Sequence, residues 1–351
     1  MLGADHNPIS IGRLQRYAMD SAPEHGGYPV VEAAATGKRV AVIGAGPAGL
    51  SCAGELAKRG HAVTLFEKRE LPGGLSTYGI IALREPVEVA LNETRMIAGL
   101  GVTIETGVEL GKNLALDTLQ EKFDAVVLSV GLGYTPGLGI EGEEAIVDGL
   151  EFIEASKTAQ KMHIGRNVLV IGAGNTAVDC ATIAKRLGAE PETMVYRRTD
   201  REMTSYEHEY DFALREGIEF SFLSQPVRVI LKDGAVAGLE CLRVELGALD
   251  ASGRPEPVPV PGSEFVLPAD QIVKAVGQEK PELAKLLGLE AKKGFIAVDS
   301  KFKTNLDGVY AIGDCVRASG AASTVMAVQD GKMAAQSIHE KFAGQAGSAR
   351  G

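Results

Sequence analysis

The sequence predicts an α/β protein built from two parallel-sheet units, the second set inside the first. Three observations lead there. A buried-type strand, a glycine-rich turn, a helix, a second strand and a charged strand end follow one another from Arg39, and the same series recurs from Asn167. The 351 residues exceed one ordinary core and suit two. The stretch from Lys280 onward is too short to fold around a core of its own, so the economical solution returns it to the first unit.

In the first unit Arg39-Val40-Ala41-Val42-Ile43 is apolar after its basic start, as a parallel strand covered on both faces reads. Gly44-Ala45-Gly46-Pro47-Ala48-Gly49 follows at once, then a helix from Leu50 to Arg59 and a strand over Ala62–Phe66 that stops at Glu67. Gly44 permits a tight bend out of the strand, Gly46 lets the backbone approach a pyrophosphate, and Gly49 lets the helix pack close. Ala45, Pro47 and Ala48 complete the turn. The helix N-terminus offers free N–H groups and partial positive charge to that pyrophosphate. Glu67 stands near the spacing at which an acid takes the ribose hydroxyls. This is a complete Rossmann-type dinucleotide unit.

The second unit repeats the order with a different end. Asn167–Ile171 is the strand, Gly172-Ala173-Gly174-Asn175-Thr176-Ala177 the turn, Val178–Leu187 the helix and Thr193–Tyr196 the next strand. Ala177 stands where the third glycine would, which the motif allows. Arg197 and Arg198 take the place of the acid. Two guanidinium groups there suit a 2′-phosphate, which a carboxylate would repel, so NADPH is favoured over NADH.

Glu219 to Val273 reads as extended pieces broken by Gly and Pro, completing the second unit. Beyond Lys280 come a short helix, a strand pair, the run Gly308–Asp314 and a final helix from Ser323 to Phe342. Gly313-Asp314 at the end of an apolar strand, with a helix beginning near Thr324, places a carboxylate where it accepts a bond from a ribityl hydroxyl. The helix N-terminus then faces a flavin ring. The cofactors expected are FAD in the first unit and NADP in the second. The FAD-binding unit is assigned residues 38–133 and 280–346, with crossings near Gly131–Pro136 and Gly277–Pro281. The NAD(P)-binding unit is 134–279. Residues 1–37, with a short helix over Ile9–Asp20, form an arm or linker.

Other chemistries find little support. A net charge of −10 disfavours nucleic acid, whose phosphates need clustered Lys and Arg. No long apolar run and no signal peptide are seen, and a cytoplasmic location is the expectation. Cys52, Cys180, Cys241 and Cys315 form no CxxC pair, so neither a local metal or iron–sulfur site nor a redox disulfide is expected. The six histidines show no paired spacing. Hydride transfer from nicotinamide to flavin needs proximity rather than a protein nucleophile, and no catalytic acid or base is assigned.

Taken together, the motifs resemble a known family. Ile11-Gly12-Arg13-Leu14-Gln15-Arg16, Gly44–Gly49, Pro72-Gly73-Gly74-Leu75 with Tyr78-Gly79-Ile80, Gly172–Asp179, Val195–Arg198, Ala275-Val276-Gly277 and Gly308–Asp314 are similar to the small subunit of glutamate synthase and the FAD/NADPH portion of dihydropyrimidine dehydrogenase. The resemblance runs from about Pro8 to Phe342. It implies that Glu67, Gly74, Leu75, Arg84, Asp314 and Thr324 line an FAD site, to which Lys68, Val108, Gly131 and Gly313 are added. It implies that Gly174, Asn175, Thr176, Arg197 and Arg198 hold NADP, with Ala275 and Gly277 beside them. The implied electron route runs from nicotinamide to FAD to iron–sulfur clusters and a second active site. Family members carry a cysteine-rich segment upstream of the Ile11–Arg16 motif and the long dehydrogenases an FMN domain, so the expectation is either a truncated product or a short member that passes electrons to a separate partner. The expected partner is an electron-accepting subunit or iron–sulfur protein. A free-standing NAD(P)H:acceptor reductase and a non-catalytic dinucleotide-binding assembly subunit are the alternatives.

Overall fold

The computed structural model describes residues 9–25, 33–158, 162–250, 253–280, 282–317 and 323–348. Parts of the expected N-terminal arm, 1–8 and 26–32, and Pro281 of the second crossing lie outside them.

The described chain opens with α1 (Ile11–Ser21). The first unit then runs β1 (Arg39–Ile43), α2 (Pro47–Lys58), β2 (Ala62–Glu67), α3 (Leu75–Tyr78), α4 (Val87–Ala98), β3 (Thr103–Thr106), α5 (Leu116–Lys122) and β4 (Ala125–Leu128). The second runs β5 (Val147–Asp148), α6 (Gly149–Thr158), β6 (Val168–Ile171), α7 (Asn175–Arg186), β7 (Glu192–Val195), α8 (Glu207–Arg215) and β8 (Glu219–Ser221). It continues through β9 (Ser224–Lys232), β10 (Ala235–Leu249), β11 (Pro255–Pro259), β12 (Phe265–Pro268) and β13 (Gln271–Lys274). Last come α9 (Leu283–Leu286), β14 (Ala291–Lys292), β15 (Phe295–Ile296), β16 (Val309–Ala311) and α10 (Thr324–Ser348).

Two five-stranded parallel sheets result. One has the order β16-β4-β1-β2-β3, the other β5-β13-β6-β7-β8. β16 joins the first sheet beside β4, so the whole second sheet lies between two neighbouring strands of the first. These are two Rossmann-like units, one inserted in the other.

The alternation of side chains explains how each sheet is covered. Val40 and Val42 of β1 pack with α2 and α10 through Cys52, Leu56, Ala334 and Ile338. Ala41 and Ile43 face the opposite layer of Leu116, Leu119, Ala284 and Ile296. In the second sheet Val168 and Val170 pack on α6 and α7, while Leu169 and Ile171 meet Val229, Leu239 and Cys241. The β-rich segment is therefore a separate antiparallel sheet in which β10 pairs with β9, β11 and β12, and it covers one face of the parallel sheet.

Element bounds differ from the sequence reading in small, explicable ways. α2 begins at Pro47 rather than Leu50, because proline fits the first helical turn, where its missing N–H costs nothing. α7 begins at Asn175 rather than Val178, and α10 continues past Phe342 to Ser348. All four cysteines are buried and unpaired. Among the described residues no helix is long and apolar enough to cross a membrane.

Glu192 at the start of β7 is 1% exposed, and burial pushes its carboxyl up to about 8, with Lys185 offsetting this only in part. The folded chain thus holds a proton that the unfolded chain releases near 4.5, so this group's contribution falls as pH rises toward 8. Glu192→Gln is expected to flatten the loss of thermal stability between about pH 5 and pH 8. Melting curves that fall equally in both proteins over that range would contradict it.

Candidate functional site

The first glycine turn is closed by protein on its inner side and open on its outer side. A Cβ on Gly44 would lie 2.4 Å from the Ser129 carbonyl oxygen, and one on Gly49 would lie 2.0 Å from the Gly44 carbonyl oxygen. A Cβ on Gly46 would meet only the Gly74 Cα, at 3.9 Å. Packing within the protein therefore requires glycine at 44 and 49. At 46 the space is left free for a ligand. The loop Pro72–Gly74 lies across the turn: Gly73 N–H donates to the Ala45 carbonyl at 2.8 Å, and a Cβ on Gly74 would sit 2.7 Å from the Gly46 Cα.

The first helical bond of α2 is Leu50 N–H to the Gly46 carbonyl, 2.9 Å, which leaves the N–H groups of Ala48 and Gly49 at the open end; Pro47 has none. Glu67 is buried, and its two oxygens accept from the N–H groups of Ala45 (2.8 Å) and Arg69 (3.0 Å). It braces the turn against its own strand. Val108 N–H donates to the Glu67 carbonyl at 2.9 Å. Leu75 is 40% exposed, Lys68 lies 5.7 Å over the Tyr134 ring, and Gly131 stands in the crossing beyond β4.

The C-terminal segment supplies the other wall. A Cβ on Gly313 would be 2.9 Å from the Ala48 Cβ, and Gly313 N–H donates to Asp330 at 3.3 Å. Asp330 in turn pairs with Arg317. Asp314 is half-buried, and its carboxylate has no hydrogen-bond partner among the described residues. Burial raises its pKa, with Arg317 pulling it down and Asp330 pushing it up. An acceptor that no described residue serves fits a hydroxylated ligand. Thr324 is the exposed first residue of α10. Gly331 was not foreseen: a Cβ there would lie 2.5 Å from the Ala48 carbonyl oxygen, so α10 crosses α2 backbone to backbone.

The second turn repeats the arrangement. A Cβ on Gly172 would lie 2.3 Å from the Ala275 carbonyl oxygen, and the buried Ala177 packs in the third-glycine place. Ala275 N–H closes onto Ile171 at 2.8 Å, and Gly277 follows in the crossing back. The loop after β7 folds over the turn. Thr204 and Ser205 donate to the Ala173 carbonyl at 3.2 and 3.1 Å, and Tyr206 N–H donates to Asn175 Oδ1 at 3.1 Å. A Cβ on Gly174 would be 3.3 Å from Thr204 Oγ1. The Thr176 N–H stands at the start of α7.

Two expectations need correction or relocation. Arg198 is not available to a phosphate: it is 2% exposed, its Nε donates to the Pro255 carbonyl and its other nitrogen to Asp250, each at 2.7 Å. It pins the β10–β11 hairpin to the end of β7. Arg197 is exposed, and the same loop carries a second exposed guanidinium, Arg201, which the sequence reading missed. Arg84, expected among the FAD-lining residues, has its guanidinium bonded to Asp179 (2.9 Å) and Glu209 of the second unit.

Residues 38–331 match the model of the pyridine nucleotide-disulphide oxidoreductase family. The chain belongs to that family. This oxidoreductase is 38% identical to the NADP(+)-dependent formate dehydrogenase subunit beta of Moorella thermoacetica, over 95% of its own length and 51% of the relative's. It is 38% identical to the NADPH-Fe(3+) oxidoreductase subunit beta of Geobacter sulfurreducens over 81% of its own length and 44% of the relative's, and 34% to the glutamate synthase [NADPH] small chain of Escherichia coli over 96% and 76%. It thus spans about half the length of the first two. In fold it is similar to FprA of Mycobacterium tuberculosis (TM-score 0.71, 19% identity, 89% of this chain and 86% of that one) and to T. acidophilum thioredoxin reductase (0.66, 21%, 87% and 99%). It is an FAD-dependent NAD(P)H oxidoreductase, and the space left at Gly46 fits a ligand at the first turn.

Gly46→Val is expected to abolish FAD retention while Gly174→Val retains FAD and loses nicotinamide binding, because each branched side chain fills one ligand space. Flavin content and NADP+ titration check this; folded variants that both lose FAD would contradict the assignment. Arg198→Ala should destabilise the fold by roughly 1–3 kcal/mol, as loss of hydrogen bonds from a charged group does. Denaturant unfolding reads that loss.

Proposed function

We propose that this oxidoreductase is the electron-input module of a larger enzyme: it takes hydride from NADPH at the second turn onto FAD at the first, and passes the electrons to a partner subunit or iron–sulfur protein. One observation carries the reading. The strands that follow the two glycine turns end differently, the first at the carboxylate of Glu67 and the second just before the exposed guanidinium of Arg197. A carboxylate accepts from unphosphorylated ribose hydroxyls, and a guanidinium binds a 2′-phosphate. The relatives named above as beta or small subunits, acting with NADP(+) or NADPH, support both the cofactor and a partner.

The residue roles in this reading are supported by the positions described above. Ala48 and Gly49 N–H groups at the start of α2 bind the FAD pyrophosphate, Glu67 accepts from the adenosine ribose, and Asp314 accepts from the ribityl chain. Gly74, Leu75, Val108, Lys68 and Gly131 form the rim, and the start of α10 at Thr324 faces the ring. Gly174, Asn175 and Thr176 bind the NADP pyrophosphate, Ala275 and Gly277 border it, and Arg197 with Arg201 takes the 2′-phosphate. FAD, when bound, supplies an acceptor of two electrons that can be given up singly. The protein supplies proximity and orientation. The FAD portion comprises 38–133 and 280–346 and the NADP portion 134–279. We place the chain in the cytoplasm, where four buried free thiols fit a reducing compartment.

NADPH is expected to bleach the flavin absorbance of the anaerobic protein much faster than NADH. Arg197→Ser should lower the NADPH/NADH ratio of kcat/KM, with a dye acceptor, by roughly tenfold or more, the worth of one charge-assisted bond. The ratio should also shrink as salt rises, because these guanidinium groups are exposed. A wild type that prefers NADH, or a ratio unmoved by the substitution, would contradict the assignment.

A further inference from the structure

The segment Arg69–Glu85 belongs to the first unit by its chain position, yet it is bonded across to the second at every level. Its start lies on the FAD-side turn, through Gly73 N–H on the Ala45 carbonyl and Gly74 against Gly46. Arg69 stacks on Tyr78 at 3.6 Å and pairs with Glu154 of α6. The Ser76 carbonyl accepts from Lys157 Nζ, also on α6, at 2.7 Å. Ile81 is 1% exposed and lies within the core of the second unit, among Phe152, Ile153, Val178 and Ala181. Arg84 then bonds Asp179 of α7 and Glu209 of α8.

Those two carboxylates are the informative part. Asp179 and Glu209 are 8% and 6% exposed, and Glu209 raises the pKa of Asp179. The His208 ring, largely exposed, lies 3.4 Å from Glu209. Two buried acids facing one another are costly unless a cation joins them. The cation arrives from the other unit. Asp179 stands one helical turn beyond Asn175, and α8 starts directly after Tyr206, whose N–H bonds Asn175. Arg84 therefore holds both the turn helix of the NADP side and the element that closes over it.

We propose that Arg84 is a positioning residue for hydride transfer: its forked bond to Asp179 and Glu209, with Ile81 as the apolar anchor, fixes the second glycine turn relative to the first. The inference rests on the proposed NADPH-to-FAD function and adds the residue that sets the distance between the two sites. Arg84 acts through Asp179 and Glu209. It follows that substituting either acid loosens the same fork and acts in the same direction as substituting Arg84. A role in holding FAD directly would not share that property.

The test uses the whole chain reconstituted with FAD. Flavin reduction by NADPH is followed in stopped flow for wild type, Arg84→Ala, Arg84→Lys, Glu209→Gln and the Arg84→Ala/Glu209→Gln double variant. In Arg84→Ala the limiting reduction rate should fall roughly tenfold to a hundredfold, as loss of reactant alignment does. FAD content should be unchanged and the NADPH Kd should hold within about threefold. Glu209→Gln should follow it, the double variant should be no slower than Arg84→Ala, and Arg84→Lys, which keeps charge without the fork, should fall between. In the apo chain, hydrogen–deuterium exchange of Ile80–Glu85 and of the first turn of α8 should quicken in Arg84→Ala. Wild-type flavin that NADPH does not reduce would overturn the function and leave the exchange result to judge the clasp. An unchanged limiting rate in Arg84→Ala, or loss of FAD in the Arg84 variants but not in Glu209→Gln, would overturn the positioning role. Unchanged exchange would do the same.

Discussion

The structure depends on the contact between α10 and α2. Gly331 brings the last helix onto the backbone of the first dinucleotide helix at Ala48, closer than any side chain permits. That contact sets β16 beside β4 and Gly313 against Ala48, and so places Asp314 at the open side of the first turn. Without it the first sheet lacks an edge strand and the first site lacks a wall. Because these pieces arrive after the second unit in the chain, the second unit must leave and return close to one place. The crossings do so: Gly133 N–H donates to the Glu279 carbonyl at 2.8 Å, and Gln278 donates to Gly133 at 3.1 Å.

Insertion also answers a chemical requirement. Hydride transfer demands two bound rings in contact, and alignment supplies much of the rate. Two crossing strands alone leave a hinge. The segment Arg69–Glu85 removes that freedom by taking part in both units, lying on the first turn while seating Ile81 in the second core. The two strand ends differ in charge. Glu67 is buried and already accepts two backbone N–H groups, which keeps a carboxylate fixed at the first strand end, whereas Arg197 is exposed at the second.

What the sequence made legible was local. A glycine turn, the strand before it and the helix after it lie within about twenty residues, and their steric needs are intrinsic to the turn. Gly331 was illegible because nothing near it in sequence calls for glycine; its partner is Ala48. Arg84 was read through family resemblance, but its partners, Asp179 and Glu209, lie on helices of the other unit. The burial of Arg198 was not legible locally. Arg197 and Arg198 lie in a bend beyond β7, and Arg198 is turned inward by Pro255 and Asp250, more than fifty residues along the chain. The antiparallel sheet was blurred by the prolines of Pro255–Pro259, which are tolerated there because β11 pairs only with β10 and forms an edge.

The most direct test of this account is a crystal structure of the chain soaked with FAD and NADP+. The account predicts the FAD pyrophosphate against Gly46 and the start of α2, its ribityl chain beside Asp314, and the 2′-phosphate of NADP+ beside Arg197, with Arg84 still bonded to Asp179 and Glu209. FAD seated at Gly174, one ligand spanning both turns, or Arg84 swung onto FAD would contradict it.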